Sequence, residues 1–163
     1  MKHLILVRHA KSSWSDLLLA DKDRPLNARG KRNAPFMAQK LKEKVGDINV
    51  FYVSPAKRAK RTAKMFFKLY PSAQWVIDKG IYEGSVSELE DVIYSIPDEV
   101  DSAVLFGHNP GFTSFTNIYS KVKLDNLATC GIVMINFEGE KWNTFNPINA
   151  KVVDIFYPKL YGE

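Results

Sequence analysis

His9 and His108 are the residues of this chain best placed, by type and company, to do chemistry. His9 follows Arg8 at the end of an apolar run, and Ala10-Lys11-Ser12 supply a turn with free amides and a hydroxyl. A neutral imidazole, with a reference pKa of about 6.5, is nucleophilic near neutral pH. An arginine beside a backbone turn suits a phosphate better than a metal ion. The second basic cluster is Ser54-Pro55-Ala56-Lys57-Arg58-Ala59, where Ser54 fits a helix N-cap and Pro55 the first helical position. Lys57, Arg58, Lys60 and Arg61 then crowd the early turns. Cations there oppose the helix dipole at ~0.3–1 kcal/mol each, and a bound anion would offset that cost. Arg58 is expected to point into a site, with Lys60, Lys64 and Lys68 on a solvated face. His108 lies in Gly107-His108-Asn109-Pro110-Gly111, a strand–turn–helix junction from which it could donate to a phosphoryl oxygen. Glu83, in Tyr82-Glu83-Gly84, is either a general acid or a solvated loop carboxylate. The competing reading of each histidine is a side chain satisfied by local backbone, and a lone histidine would favour it.

The elements that must position these residues follow from hydrophobic periodicity. Residues 3–7 form a continuous apolar run, as do Val50–Val53, Trp75–Ile77 and Ala103–Phe106, each expected as a strand buried on both faces. Helical spacing recurs in Ala34/Ala38/Leu41/Val45, where Pro35 should kink or restart the helix, and in Ala59/Ala63/Phe66/Phe67. It recurs again in Leu89/Val92/Ile93/Ile96 and Phe112/Phe115/Ile118/Tyr119. After Leu124, Ile132–Phe137, Trp142–Phe145 and Val152–Tyr157 read as strands, the first two joined as a hairpin around Glu138-Gly139. Strands alternating with helices predict one domain over residues 1–163, an α/β protein of three layers with a mostly parallel sheet. In such sheets ligands gather at the carboxyl ends of the strands. Arg8-His9, Ser54-Pro55 and Gly107-His108 all fall there, and the Glu83 loop also follows a strand. His3, at the opposite end of its strand, has no expected role.

Four segments, in order, carry a family resemblance. Leu6-Val7-Arg8-His9-Ala10-Lys11-Ser12-Ser13-Trp14 resembles the signature of the histidine phosphatase (phosphoglycerate mutase-like) superfamily, whose expected motif is Arg-His-Gly. It is closer to the phosphohistidine phosphatase SixA-like branch, in which alanine replaces that glycine. Asp23-Arg24-Pro25-Leu26-Asn27-Ala28-Arg29-Gly30, Ser54-Pro55-x-x-Arg58-Ala59-x-x-Thr62 and Gly107-His108-Asn109-Pro110 are similar to the branch's later motifs. The resemblance implies a phosphoglycerate mutase-like three-layer α/β/α sandwich and a metal-independent phosphatase without cofactor. His9 would be the phosphorylated nucleophile, Arg8, Arg58 and His108 would bind phosphoryl oxygens, and Ser12 would be a hydroxyl near the phosphate. Glu83 stands where relatives carry an acid. The substrate would be a protein phosphohistidine or a small phosphate ester.

Composition narrows the alternatives. A hydrophobic fraction of 45% with 25% charged residues is ordinary for a soluble globular protein. The lone Cys130 excludes an internal disulfide framework and a cysteine-based zinc cluster. The ten residues at the N-terminus hold too few apolar residues for a signal core, and no run approaches a membrane span. A cytoplasmic monomer is expected. The net charge of +5 suits anionic ligands, but no nucleic-acid-binding signature accompanies it. A metal site of His9, His108 and Glu83 is opposed by Arg8 and Arg58, which would repel a divalent cation. A phosphosugar mutase is opposed by the short connection from Ile77 to Ala103, which leaves little room for a lid. A module that binds phosphoproteins without turnover would have no use for His9.

Overall fold

The apolar run at the start of the chain becomes β1 (Lys2–Arg8), the strand on which the fold is assembled in the computed structural model, which describes residues 1–163. β2 (Val50–Val53), β3 (Gln74–Ile77), β4 (Ser102–Gly107), β5 (Ile132–Phe137) and β6 (Ala150–Phe156) complete one sheet in the order β3-β2-β4-β1-β5-β6. The first four strands in that order run parallel, β5 runs against β1, and β6, antiparallel to β5, returns to the direction of the first four. This is the expected mostly parallel sheet.

Strand alternation sorts the side chains into two cores. Ile5, Val7, Phe51, Val53, Val104 and Phe106 face α1 (Ala28–Lys44) and α2 (Lys57–Phe67). Leu4, Leu6, Tyr52, Ala103 and Leu105 face α3 (Val86–Tyr94) and α4 (Gly111–Tyr119). β4 is buried along its whole length, because helices cover both of its faces and strands both of its edges. The three layers are therefore a consequence of continuous apolar strands meeting one-sided helices.

Four local expectations fail, each for a physical reason. β3 is the sheet's outer strand, and Val76 and Ile77 are exposed, so Trp75–Ile77 is not buried on both faces. α1 runs unbroken through Pro35; Pro35 lies on the solvent face, where water can satisfy the carbonyl it leaves unbonded. Trp142–Thr144 forms a 3-10 turn, and the hairpin joins β5 to β6 instead. Both edges of β5 are taken by β1 and β6, so no ladder is left for residues 142–145. Trp142 instead plugs the α3/α4 core, its indole N–H donating to the Val100 carbonyl at 2.8 Å. Finally, the N-cap of α2 is Ala56, without a side-chain cap, and Pro55 precedes the helix. The Ser54 hydroxyl is used elsewhere.

Candidate active site

β1 and β4 lie side by side, in register from His3/Ser102 to Arg8/Gly107, so the residues that follow them emerge together. His9 N–H donates to the Gly107 carbonyl at 3.0 Å, and the His9 carbonyl accepts from Cys130 N–H at 3.1 Å. The nucleophile candidate is thus clamped by backbone on both sides. α2 is tied to the same point: Ala10 N–H donates to Thr62 Oγ1, which donates to the Arg58 carbonyl. α1 closes the other side. A Cβ on Gly30 would collide with the Lys11 carbonyl, so the glycine lets the helix approach the loop after β1.

Arg8, His9, Ser12, Arg58 and His108 line one cavity of about 200 Å³, together with Lys11, Trp14, Arg24, Asn109 and Thr129. The ring centroids of His9 and His108 are 5.2 Å apart. His9 Nδ1 lies 2.8 Å from the Ala10 carbonyl. A carbonyl can only accept, so Nδ1 carries the proton and Nε2 keeps its lone pair. Burial, reinforced by His108, Arg58 and Arg8 and opposed by the Ala10 hydrogen bond, pushes the His9 pKa down to about 3. His9 is therefore neutral at physiological pH.

His108 is held in the opposite sense. Ser54 Oγ accepts from Ala56 N–H at 3.2 Å and lies 2.7 Å from His108 Nε2. The hydroxyl hydrogen has no other acceptor, so it goes to Nε2, leaving the proton of His108 on Nδ1. That Nδ1 is buried without a partner, as are Nε of Arg8 and Nε of Arg58. Burial first, then Arg58, lowers the His108 pKa to about 3. Buried donors left unpaired are costly. Three of them sit on residues around one cavity, two on guanidiniums, so the site holds unspent donor capacity that suits an anion.

One terminal nitrogen of Arg8 and both of Arg58 are anchored. Arg8 Nη1 donates to the Leu127 carbonyl at 2.8 Å. Arg58 donates to the Asp21 carbonyl at 2.7 Å and to Asp21 Oδ2 at 3.0 Å. Tyr82 donates to the same carboxylate at 2.6 Å and sets its ring edge against His108. Although partial burial would raise the Asp21 pKa, hydrogen bonds from Tyr82, Arg58 and Arg24 bring it down to about 2. Arg24 reaches Ser12 Oγ at 2.8 Å and stacks under Trp14 at 3.5 Å.

Asp21, Tyr82, Trp14 and Arg24 thus join the site without having been singled out from the sequence. Arg24 lies in the Asp23-to-Gly30 motif, Trp14 closes the Leu6-to-Trp14 motif and Tyr82 adjoins Glu83, and those were the available signals. Asp21, three residues before Arg24, had none. Glu83 is not brought in: it is exposed, has φ 53°, and does not line the cavity. His9, His108 and Glu83 consequently do not form a metal-ligand set, and no other group of three or more His, Cys, Asp or Glu is arranged to hold a metal. Arg8, Arg24 and Arg58 share the cavity with the two histidines and favour an anion.

A mostly parallel sheet with a cationic pocket at the carboxyl ends of its central strands defines an α/β protein whose site suits an anion. The chain belongs to the histidine phosphatase superfamily, branch 1, whose family model matches residues 4–122. An uncharacterized chloroplastic protein of Arabidopsis thaliana is 29% identical over 155 residues, 86% of this chain and 69% of that protein. Phosphoserine phosphatase 1 of Hydrogenobacter thermophilus is 32% identical over 136 residues, 76% of this chain and 62% of that enzyme. Among solved structures, a SixA protein of Nakamurella multipartitia superposes with TM-score 0.85 at 22% identity, covering 96% of each chain. A SixA complexed with tungstate gives TM-score 0.79 at 20% identity, covering 98% of this chain and 99% of that one. These structural likenesses establish the fold. No helix is long and apolar enough to cross a membrane.

Proposed function

We propose that this protein is a metal-independent phosphatase that forms a covalent phosphohistidine on His9, with protein phosphohistidine as its substrate class. The observation that carries the reading is the His9 tautomer: neutral, Nδ1–H tied to the Ala10 carbonyl, Nε2 free in a cavity ringed by cationic donors. Nε2 attacks phosphorus while the bond to the leaving nitrogen breaks, and that nitrogen departs with the electron pair. Arg8, Arg58 and the Nδ1–H of His108 stabilise charge on the equatorial oxygens, which is most of what phosphoryl transfer demands. Water then attacks the phosphorus and gives up a proton to solvent, while the P–Nε2 bond breaks and its electron pair returns to Nε2. A phosphoramidate leaves readily once protonated, which suits a cavity whose lining contains no carboxylate to act as acid. The SixA likeness, including a tungstate complex, supports the phosphohistidine reading.

The name of the 32%-identical relative favours a second reading, a phosphomonoesterase acting on a small ester such as phosphoserine. Both readings share the labelling test. Brief exposure to ³²P-labelled substrate and an acid-avoiding quench should yield acid-labile label in the wild type and none in His9→Ala. Label persisting in His9→Ala would refute the nucleophile. Competition between a phosphohistidine peptide and phosphoserine then separates the two substrates.

A further inference from the structure

The rim of the pocket is neither of the usual polar composition nor electrically balanced. Between Trp14 and Asp21 the chain makes a short excursion whose two ends are fixed on pocket arginines: Trp14 stacks on Arg24, and Asp21 holds Arg58. This loop therefore begins and ends at the edge of the site. At its tip Leu17 and Leu18 are 86% and 96% exposed, and Trp14 is 66% exposed. Scattered apolar residues are normal on a surface, but three within five positions beside a charged pocket form a patch. On the other side, the outer face of α2 presents Lys57, Lys60 and Arg61 to grooves that are also lined by Lys22, Asp23, Pro25 and Leu26, just after the loop. None of these three cations makes an ion pair. Asp23 is the one carboxylate lining the groove they share.

We propose that the 14–19 loop and the outer face of α2 form a docking surface for a phosphoprotein whose phosphorylated residue is flanked by apolar and acidic side chains. The inference rests on the phosphatase reading above and adds what the substrate looks like around the phosphate. Reach makes the contact unavoidable. A phosphoryl group on a side chain lies only roughly 7 Å from its own backbone, and His9 and His108 are nearly buried at the cavity floor. Delivering phosphorus to His9 Nε2 presses the substrate backbone onto the rim. The leucines then meet the substrate's neighbouring side chains on one flank and the cations meet them on the other. A small metabolite that fits the cavity touches neither.

The test compares two phosphohistidine peptides, one flanked by leucine and aspartate and one by serine and lysine, with nitrophenyl phosphate as the small substrate. The wild type should prefer the leucine–aspartate peptide by roughly tenfold or more in kcat/KM, with a preference that weakens in salt. Leu17→Ser/Leu18→Ser and Lys60→Glu/Arg61→Glu should each erode that preference while leaving nitrophenyl phosphate turnover within about twofold. Equal use of both peptides by the wild type, or a preference that survives both double variants, overturns the docking surface. So does sedimentation with anionic phosphatidylglycerol vesicles that is lost in Leu17→Ser/Leu18→Ser, which would assign the patch to a lipid surface. Turnover of nitrophenyl phosphate but of neither peptide overturns it as well. Failure to turn over any of the three substrates refutes the phosphatase reading itself.

Discussion

Replacing Ser54 by alanine should damage catalysis through a residue that touches no substrate. Its Oγ is fully buried, accepts from Ala56 N–H at 3.2 Å and donates to His108 Nε2 at 2.7 Å. Ser54→Ala leaves a buried donor and a buried acceptor without partners, at ~1–3 kcal/mol for each group left unsatisfied, less whatever a water recovers. A stability loss of about 2 kcal/mol follows. The catalytic effect comes from the tautomer. Without the hydroxyl, nothing holds the proton of His108 on Nδ1, and a hydrogen bond worth ~1 kcal/mol shifts a tautomer ratio about fivefold. Losing the donor entirely would cost ~10²–10³, so Ser54→Ala should fall between, at about tenfold in kcat. Nitrophenyl phosphate is the substrate of choice, because its leaving group needs no proton. Long-range ¹⁵N–¹H correlation of the histidine rings should find His108 protonated at Nδ1 in the wild type and mixed in Ser54→Ala. Ser54→Thr, which keeps the hydroxyl, should restore the Nδ1–H form. A wild-type His108 protonated at Nε2, or a Ser54→Ala enzyme with unchanged tautomer and rate, would refute the reasoning.

Other outcomes follow from the same geometry. Arg58→Ala and His108→Ala should each lower kcat/KM for nitrophenyl phosphate by ~10²–10³, whereas Arg61→Ala and Lys64→Ala stay within about threefold of wild type; equal mild losses at all four would reduce the basic helix to a solvated face. His9 and His108 have folded pKa values lowered to about 3, against about 6.5 unfolded. The unfolded chain binds the extra protons, so this stability is present above pH 6.5 and is lost as pH falls toward 3. From pH 7.5 to 5 the loss is at most about 2 kcal/mol per histidine, readable by urea unfolding. Asp21, lowered to about 2, adds a loss only below about pH 4. A flat profile between pH 7.5 and 5 would contradict neutral buried histidines. Glu83→Gln should alter turnover of aryl and alkyl phosphates by less than about threefold, because Glu83 lies outside the cavity; a loss of ~10² confined to alkyl esters would instead make it the proton donor. Gly30→Ala should destabilise the fold and depress activity together, since its Cβ has no room against the Lys11 carbonyl; a variant as stable and active as wild type would show that α1 can retreat without disturbing the loop after β1.

The amino-acid sequence by itself determined the sheet and the residues that meet at its edge. Continuous apolar runs such as Leu4–Val7 and Ala103–Phe106 can only be buried between helix layers, and parallel connections then force Arg8-His9 and His108 to the same end. Types and neighbours were enough to expect His9, Arg8, Arg58 and His108 at one edge, and the fold does bring the four to one cavity. Tertiary structure alone decided which hydrogen bonds those side chains make. The identity of Ser54 predicts a helix cap as readily as a histidine partner, and only the closeness of β2 to β4 turns its hydroxyl to His108. Asp21 has a loop carboxylate's sequence context, yet packing against α2 makes it the anchor of Arg58, 37 residues away. Glu83 lies in an equally suggestive loop, and its backbone leaves it in solvent. Trp142 reads as a strand residue until the edges of β5 are both occupied. Periodicity is a local property written along the chain, whereas hydrogen-bond partners and free strand edges exist only once distant segments have met.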